Sequence, residues 1–247
     1  MFLAFFGIFW FWFLWLLRDG DAVRLAEGEA NTLLSMVIGS AHAYQLFIAN
    51  SPTYSVFFYV ALTTLPAFCI FAASGQTASD VSSKLMRFID HRCSRIEIYL
   101  GRFIGTSIFV LSAYLIVSVS AMFLAMAVET TASAKIIAYT VHVAVVLCLY
   151  ALAFVAFMSA VTALCASVGI SSLTAGCTVA LVTAVSAFLA VRWPEVKILG
   201  YLIPNGLKQF ILLKTINHSP MVIVPPLLLY TTVYFVFGLL IFRKREI

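Results

Sequence analysis

A chain of 247 residues that is 63% hydrophobic and 10% charged, with a mean hydropathy of +1.07 and a net charge of +5, cannot fold as an ordinary water-soluble domain. Such domains are about 45–50% apolar and about 25% charged, so lipid must solvate most of this surface. The basic residues form no long patch, which argues against nucleic acid and suits cytoplasmic membrane flanks.

Residues 2–17 read as a first span, short of the roughly 20 residues a crossing usually needs. Trp10, Trp12 and Trp15 suit its interfacial end. There is no basic n-region and no small-residue cleavage site, so a cleaved signal peptide is not expected. Residues 31–49 carry Asn31, His42 and Gln45 and read as an amphipathic loop helix at the surface. If they spanned instead, the orientation of the N-terminal end would reverse. The second span, 55–74, holds Pro66, which should kink it.

Next comes DHRCSRIEIYLGRFIG, residues 90–105, which carries three arginines, an Asp, a Glu and a His between two long apolar stretches. Upstream, Val81, Leu85, Phe88 and Ile89 share one helical face, with Asp80 as an N-terminal acid. The spacing predicts a short amphipathic helix on the membrane surface. Ser94 and Glu97 then form an S-x-x-E pair ahead of an apolar run, the capping-box pattern. The third span is 98–127. No obvious breaker lies between Ile96 and Val128, so its helix should outreach a hydrocarbon core of about 30 Å. Spans four to six are 136–160, 169–191 and 221–242, with Gly238 a mild softening of the last. Between spans five and six, 193–220 should form two short helices dipping into the outer leaflet, broken at Pro204-Asn205-Gly206. The fold class is thus an all-α polytopic membrane protein, one transmembrane domain over 1–247.

Lys and Arg density sets the topology. Lys84, Arg87, Arg92, Arg95 and Arg102 follow span two, and Arg243, Lys244 and Arg245 close the chain. Six spans put both clusters and both termini on one side, the cytoplasm. Two small-residue ladders allow close helix approach: Gly101 with Gly105, and Ser172, Gly176, Ala180 and Ala184. Intrachain packing and a subunit interface are both open for them. The five cysteines, Cys69, Cys93, Cys148, Cys165 and Cys177, show no CxxC pair and read as free thiols.

The span interiors lack acidic and basic residues, and His142 reads as a hydrogen-bonded structural histidine. Ion-coupled transporters keep such groups, so a self-powered transporter is disfavoured, while a passive pore stays open. No G-x-x-x-x-G-K-[ST] loop is present, so ATP is not bound in that way. No nucleophile–base–acid set is visible either, and no metal or other cofactor is expected in this chain.

The stretch DVSSKLMRFIDHRCSRIEIYLGRFIG, 80–105, resembles the segment after the second span in ABC-2 type transporter permeases. Ser94, Arg95, Glu97, Gly101 and Arg102 match its S-R-x-E-x-x-x-G-[KR] pattern, and GYLIP before the last span and the tail FRKREI are also similar. Cys93 departs, standing where a proline commonly precedes the Ser-Arg pair, and the first span begins at residue 2, where many members first carry an elbow helix. The resemblance implies a permease that pairs with a second copy and docks on a separate ATP-binding cassette subunit, which carries ATP and Mg. The docking element would be the coupling helix at 80–95, with Ser83, Lys84, Arg87 and Asp90 facing the motor. Arg87, Arg92 and Arg95 would pair with its acidic groups, and the usual direction is export across the cytoplasmic membrane. Two other readings use the same residues: a non-transporting scaffold whose basic segment binds lipid or a partner, and a membrane enzyme.

Overall fold

The computed structural model describes residues 2–18, 50–76, 78, 94–129, 133–165, 167–216 and 220–244, and every regular element among them is helical. α1 is Phe2–Leu17, α2 Pro52–Ala73, α3 Arg95–Val128, α4 Ser133–Leu164 and α5 Val168–Arg192. Two 3-10 segments follow, Pro194–Leu202 and Pro204–Leu207, then α6, Lys208–Ile216, and α7, Pro220–Lys244. Among the described residues α2, α3, α4, α5 and α7 are long and apolar enough to cross a bilayer. α1 has 16 residues, about 24 Å, and is shorter than these five. The amphipathic helices expected at 31–49 and 80–90 lie outside the described residues.

Local chemistry explains where the helices begin and end. Ser51 caps α2: its hydroxyl accepts from the Tyr54 amide at 3.2 Å, and Pro52 occupies the first helical position, where no N–H is needed. α5 ends at Trp193, whose extended backbone (φ −131°, ψ 97°) precedes Pro194. Ile203 is extended before Pro204 for the same reason, and this separates the two 3-10 segments. Several hydroxyls inside the apolar helices bond back to their own backbone. Thr63 and Thr64 donate to the Tyr59 and Val60 carbonyls at 2.6 and 2.9 Å, and Thr231 to Leu227 at 2.9 Å. Their polarity is thus met within the helix, as lipid requires.

The chain divides into two compact units. The first takes in residues 1–64, 112–148 and 210–223. There α1 buries Phe6, Trp10, Phe13 and Leu17, spaced as one helical stripe. Phe6 meets Tyr114 edge-on at 5.2 Å, and Trp10 lies 5.2 Å from Phe57. The Tyr54 hydroxyl bonds Ser118 at 2.6 Å, and its ring meets Tyr139. At the start of α2, Glu129 beyond the end of α3 accepts from the Ser51 hydroxyl and the Thr53 amide, both at 2.8 Å. A carboxylate on orphan helix amides is favourably placed against the helix dipole. The contact sets the start of α2 beside the end of α3.

The second unit holds 65–111, 149–209 and 224–247. α4 supplies its most buried wall, with Ala151, Ala153, Phe154, Ala156 and Met158 at or near zero exposure. The Ser171 hydroxyl at the start of α5 donates to the Ser74 carbonyl after α2 at 3.0 Å. The α4 apolar window is 61% buried and that of α5 only 6%. Most of the α5 window is thus exposed, apart from its contacts with the 3-10 segments that follow it.

Candidate functional site

The start of α3 carries the charged residues that the structure describes in the basic segment. The Ser94 amide donates to the Glu97 carboxylate at 2.8 Å, and the Glu97 amide donates to the Ser94 hydroxyl at 3.3 Å. The Ile98 amide closes the first turn on the Ser94 carbonyl at 3.1 Å. This reciprocal pair is the capping box expected from the sequence. It holds two donors that the helix itself cannot satisfy, and so defines where α3 begins.

Arg95, the first helical residue, reaches across to α7. Its guanidinium lies 3.5 Å from the Arg243 carbonyl in the last turn of that helix. The last carbonyls of a helix lack internal donors and carry its negative dipole end, so a guanidinium suits them. Arg95 therefore has a contact inside the chain, where the sequence pointed only outward, to lipid or to a partner. Ser83, Lys84, Arg87, Asp90 and Arg92 lie outside the described residues.

One turn further, Tyr99 joins three helices. It is 1% exposed, its hydroxyl pairs with Ser159 of α4 at 2.7 Å, and it lies 3.4 Å from the Phe235 carbonyl of α7. Its ring packs on Phe235 and Phe242 at 5.3 and 5.6 Å. Tyr99, Ala163 and Phe242 form a buried cluster, flanked by Ile98, Leu239 and Ile241. Gly238 makes this approach possible. A methyl group there would stand 2.8 Å from the Ala160 Cα and collide with the Tyr99 hydroxyl. α7 runs unbroken through Gly238, and the missing side chain is used for contact with α3 and α4. Neither Tyr99 nor Gly238 stood out as a functional residue in the sequence.

The packing ladders fall differently. A methyl group on Gly101, Gly105 or Gly176 would meet nothing within 4 Å. Ser172 donates to the Gly169 carbonyl of its own helix at 3.0 Å, and Ala180 and Ala184 are exposed. Cys69, Cys148, Cys165 and Cys177 are free thiols. Among the described residues no group of three metal-ligating side chains comes together.

No protein-family model matches the chain, and no curated protein is significantly similar to it.

Proposed function

We propose that this chain is the membrane-spanning subunit of an ATP-driven exporter of the ABC-2 type, paired with a second copy and with a separate ATP-binding subunit that carries ATP and Mg. In this reading α1 completes a set of six spans in the cytoplasmic membrane, with both termini in the cytoplasm. The segment 80–95 is the coupling helix on the motor side, and the short helices between α5 and α7 dip into the outer leaflet.

The observation that carries the reading is the reciprocally capped start of α3, immediately after the basic segment. A lever must be stiff to transmit displacement, and a fraying first turn would absorb it. From that cap α3 runs 34 residues, about 51 Å, longer than a hydrocarbon core. Its Tyr99 contact couples the cap to α4 and α7 within one turn. The nearly unburied α5, with Gly176 open on its surface, suits a second copy. The 247 residues carry no phosphate loop, which fits a motor on a separate subunit.

Purification of the affinity-tagged full chain from its native membrane in mild detergent tests this. The expected result is co-elution of an ATP-binding cassette protein in near-equal amount, with ATP hydrolysis in the eluate. A folded chain that elutes without any such partner supports a scaffold instead.

A further inference from the structure

At the C-terminal end of α5 the second unit contains a cavity of about 300 Å³. It is at the small end of ligand clefts, about 300–1,000 Å³. α5 contributes Thr183, Ser186 and Ala187 to its wall, and the chain that follows contributes Gly200, Asn205 and Gln209.

Several contacts build this cavity. Gly200 sits against α5, where a methyl group would stand 3.2 Å from the Ser186 hydroxyl. Gly206 sits on the Gly200 carbonyl, and a side chain there would collide with it. Asn205 donates to the Thr183 hydroxyl at 2.9 Å, tying the loop to α5. The Tyr230 and Tyr234 hydroxyls of α7 donate to the Tyr201 and Leu202 carbonyls, tying it to α7.

Bonds inside the wall decide which polar atoms are left for a guest. Thr183 donates to the Val179 carbonyl at 2.7 Å, so its oxygen can only accept, and Asn205 must turn its nitrogen toward it. The Asn205 amide oxygen and second N–H, and the whole Gln209 amide, have no partner among the described residues. Ser186 donates to the Thr183 carbonyl at 3.0 Å, which leaves its oxygen as an acceptor. Lys208 also lines the cavity and already interacts within the chain. No carboxylate stands among the described walls.

The groups left over are therefore neutral, and they both donate and accept. A primary amide presents an acceptor and a donor side by side. Two hydroxyls on neighbouring carbons match that pair, one donating and the other accepting. A sugar ring repeats such pairs around its edge. Ala187, Gly200 and Gly206 add wall with no side chain beyond a methyl group, where the C–H face of a ring can lie. A simple ion would use only one kind of group and leave the other unmet.

We infer that the cavity between α5, the 3-10 segments and α6 binds a sugar ring through Asn205, Gln209 and Ser186. The ring comes either free or as the head group of a glycolipid. Leu199 and Leu202, which flank Gly200 and Tyr201 in the chain, are 40% and 59% exposed and suit the tails of a glycolipid. This inference goes beyond the exporter reading and stands without it.

Saturation-transfer NMR on the purified full chain tests it, in a polyoxyethylene detergent that carries no sugar. The probes are glucose, galactose and mannose, each free and as its hexyl glycoside, with triethylene glycol monohexyl ether as the tail without a ring. At least one sugar probe should bind, and the ether should not. Tighter binding of the glycosides identifies a glycolipid, and equal binding a free sugar. Gln209→Leu, at the exposed rim, should weaken binding by about threefold or more, the size of one or two neutral hydrogen bonds. Ala187→Phe, at an exposed position of α5, should fill the cavity and abolish binding without touching a polar group. Lys135→Gln, at the exposed start of α4, should leave it unchanged. Added salt should leave it unchanged as well, since a neutral ring is not held by charge. The inference is overturned if no sugar probe binds, if the ether binds as well as the glycosides, if salt abolishes binding, or if folded Gln209→Leu or Ala187→Phe protein binds as the parent does.

Discussion

Replacing Gly238 by Ala should lower the thermal stability of the detergent-solubilised protein, while the same change at Gly105 should not. At Gly238 the new methyl group meets the Ala160 backbone at 2.8 Å and the Tyr99 hydroxyl. Backbone cannot rotate away as a side-chain end can, so α7 must shift and the Tyr99–Ser159 bond is disturbed. Overpacking of this kind costs about 1–3 kcal/mol. At Gly105 the methyl group meets nothing within 4 Å, and helix propensity alone favours Ala by up to about 1 kcal/mol. Fluorescence-detected size exclusion after heating measures both. Equal midpoints for the Gly238→Ala protein and the parent would mean that α7 does not approach α4 there.

If the chain docks on an ATP-binding subunit as proposed, reversing charge at Arg87 and Arg95 together should release that subunit and leave the chain folded. Truncating one side of a buried, hydrogen-bonded charge pair at an interface costs about 2–5 kcal/mol, and reversal adds repulsion. The complex should weaken by about a hundredfold or more, enough to lose the partner on an affinity column. Arg95 also touches the Arg243 carbonyl, so its replacement loosens the end of α7 as well. Arg87→Glu alone should therefore be compared, with an unchanged elution volume as the folding control. A pair that stays assembled places docking elsewhere.

Much of the helical layout was legible because lipid imposes one simple requirement. A crossing must be apolar and must satisfy its own backbone, so length and hydropathy mark it. The expected 169–191 and 221–242 became Val168–Arg192 and Pro220–Lys244. α4 outgrew 136–160 to Ser133–Leu164, taking in Ser133 and Lys135 at its start and the mostly apolar turn Val161–Leu164 at its end. The Ser94–Glu97 cap was legible because both partners lie within one turn. Between α5 and α7 the prolines marked the breaks, but not that Pro194–Leu202 would wind as a 3-10 helix.

Contacts between distant residues were not legible. Glu129 caps α2 from 76 residues away, and no local pattern pairs it with Thr53. Gly238 reads in sequence as a softening of a helix. Only the arrival of Tyr99 and Ala160 makes it a contact. Pro225 and Pro226 lie inside α7 without ending it, although proline usually ends a helix. Lys208 in sequence is one basic residue in a loop, and becomes a cavity wall only when Gly200 and Gly206 let the chain fold back.

The sidedness of Cys93 tests the lever most directly. This native cysteine lies between the basic segment and the α3 cap. A membrane-impermeant maleimide would be applied to intact cells, to inverted vesicles and to detergent-solubilised protein, with Cys93→Ser as the blank. Signal that depends on Cys93 should appear in inverted vesicles and detergent and be absent from intact cells. The same signal on intact cells would put the segment on the wrong face of the membrane, beyond the reach of any cytoplasmic ATPase, and would contradict the account.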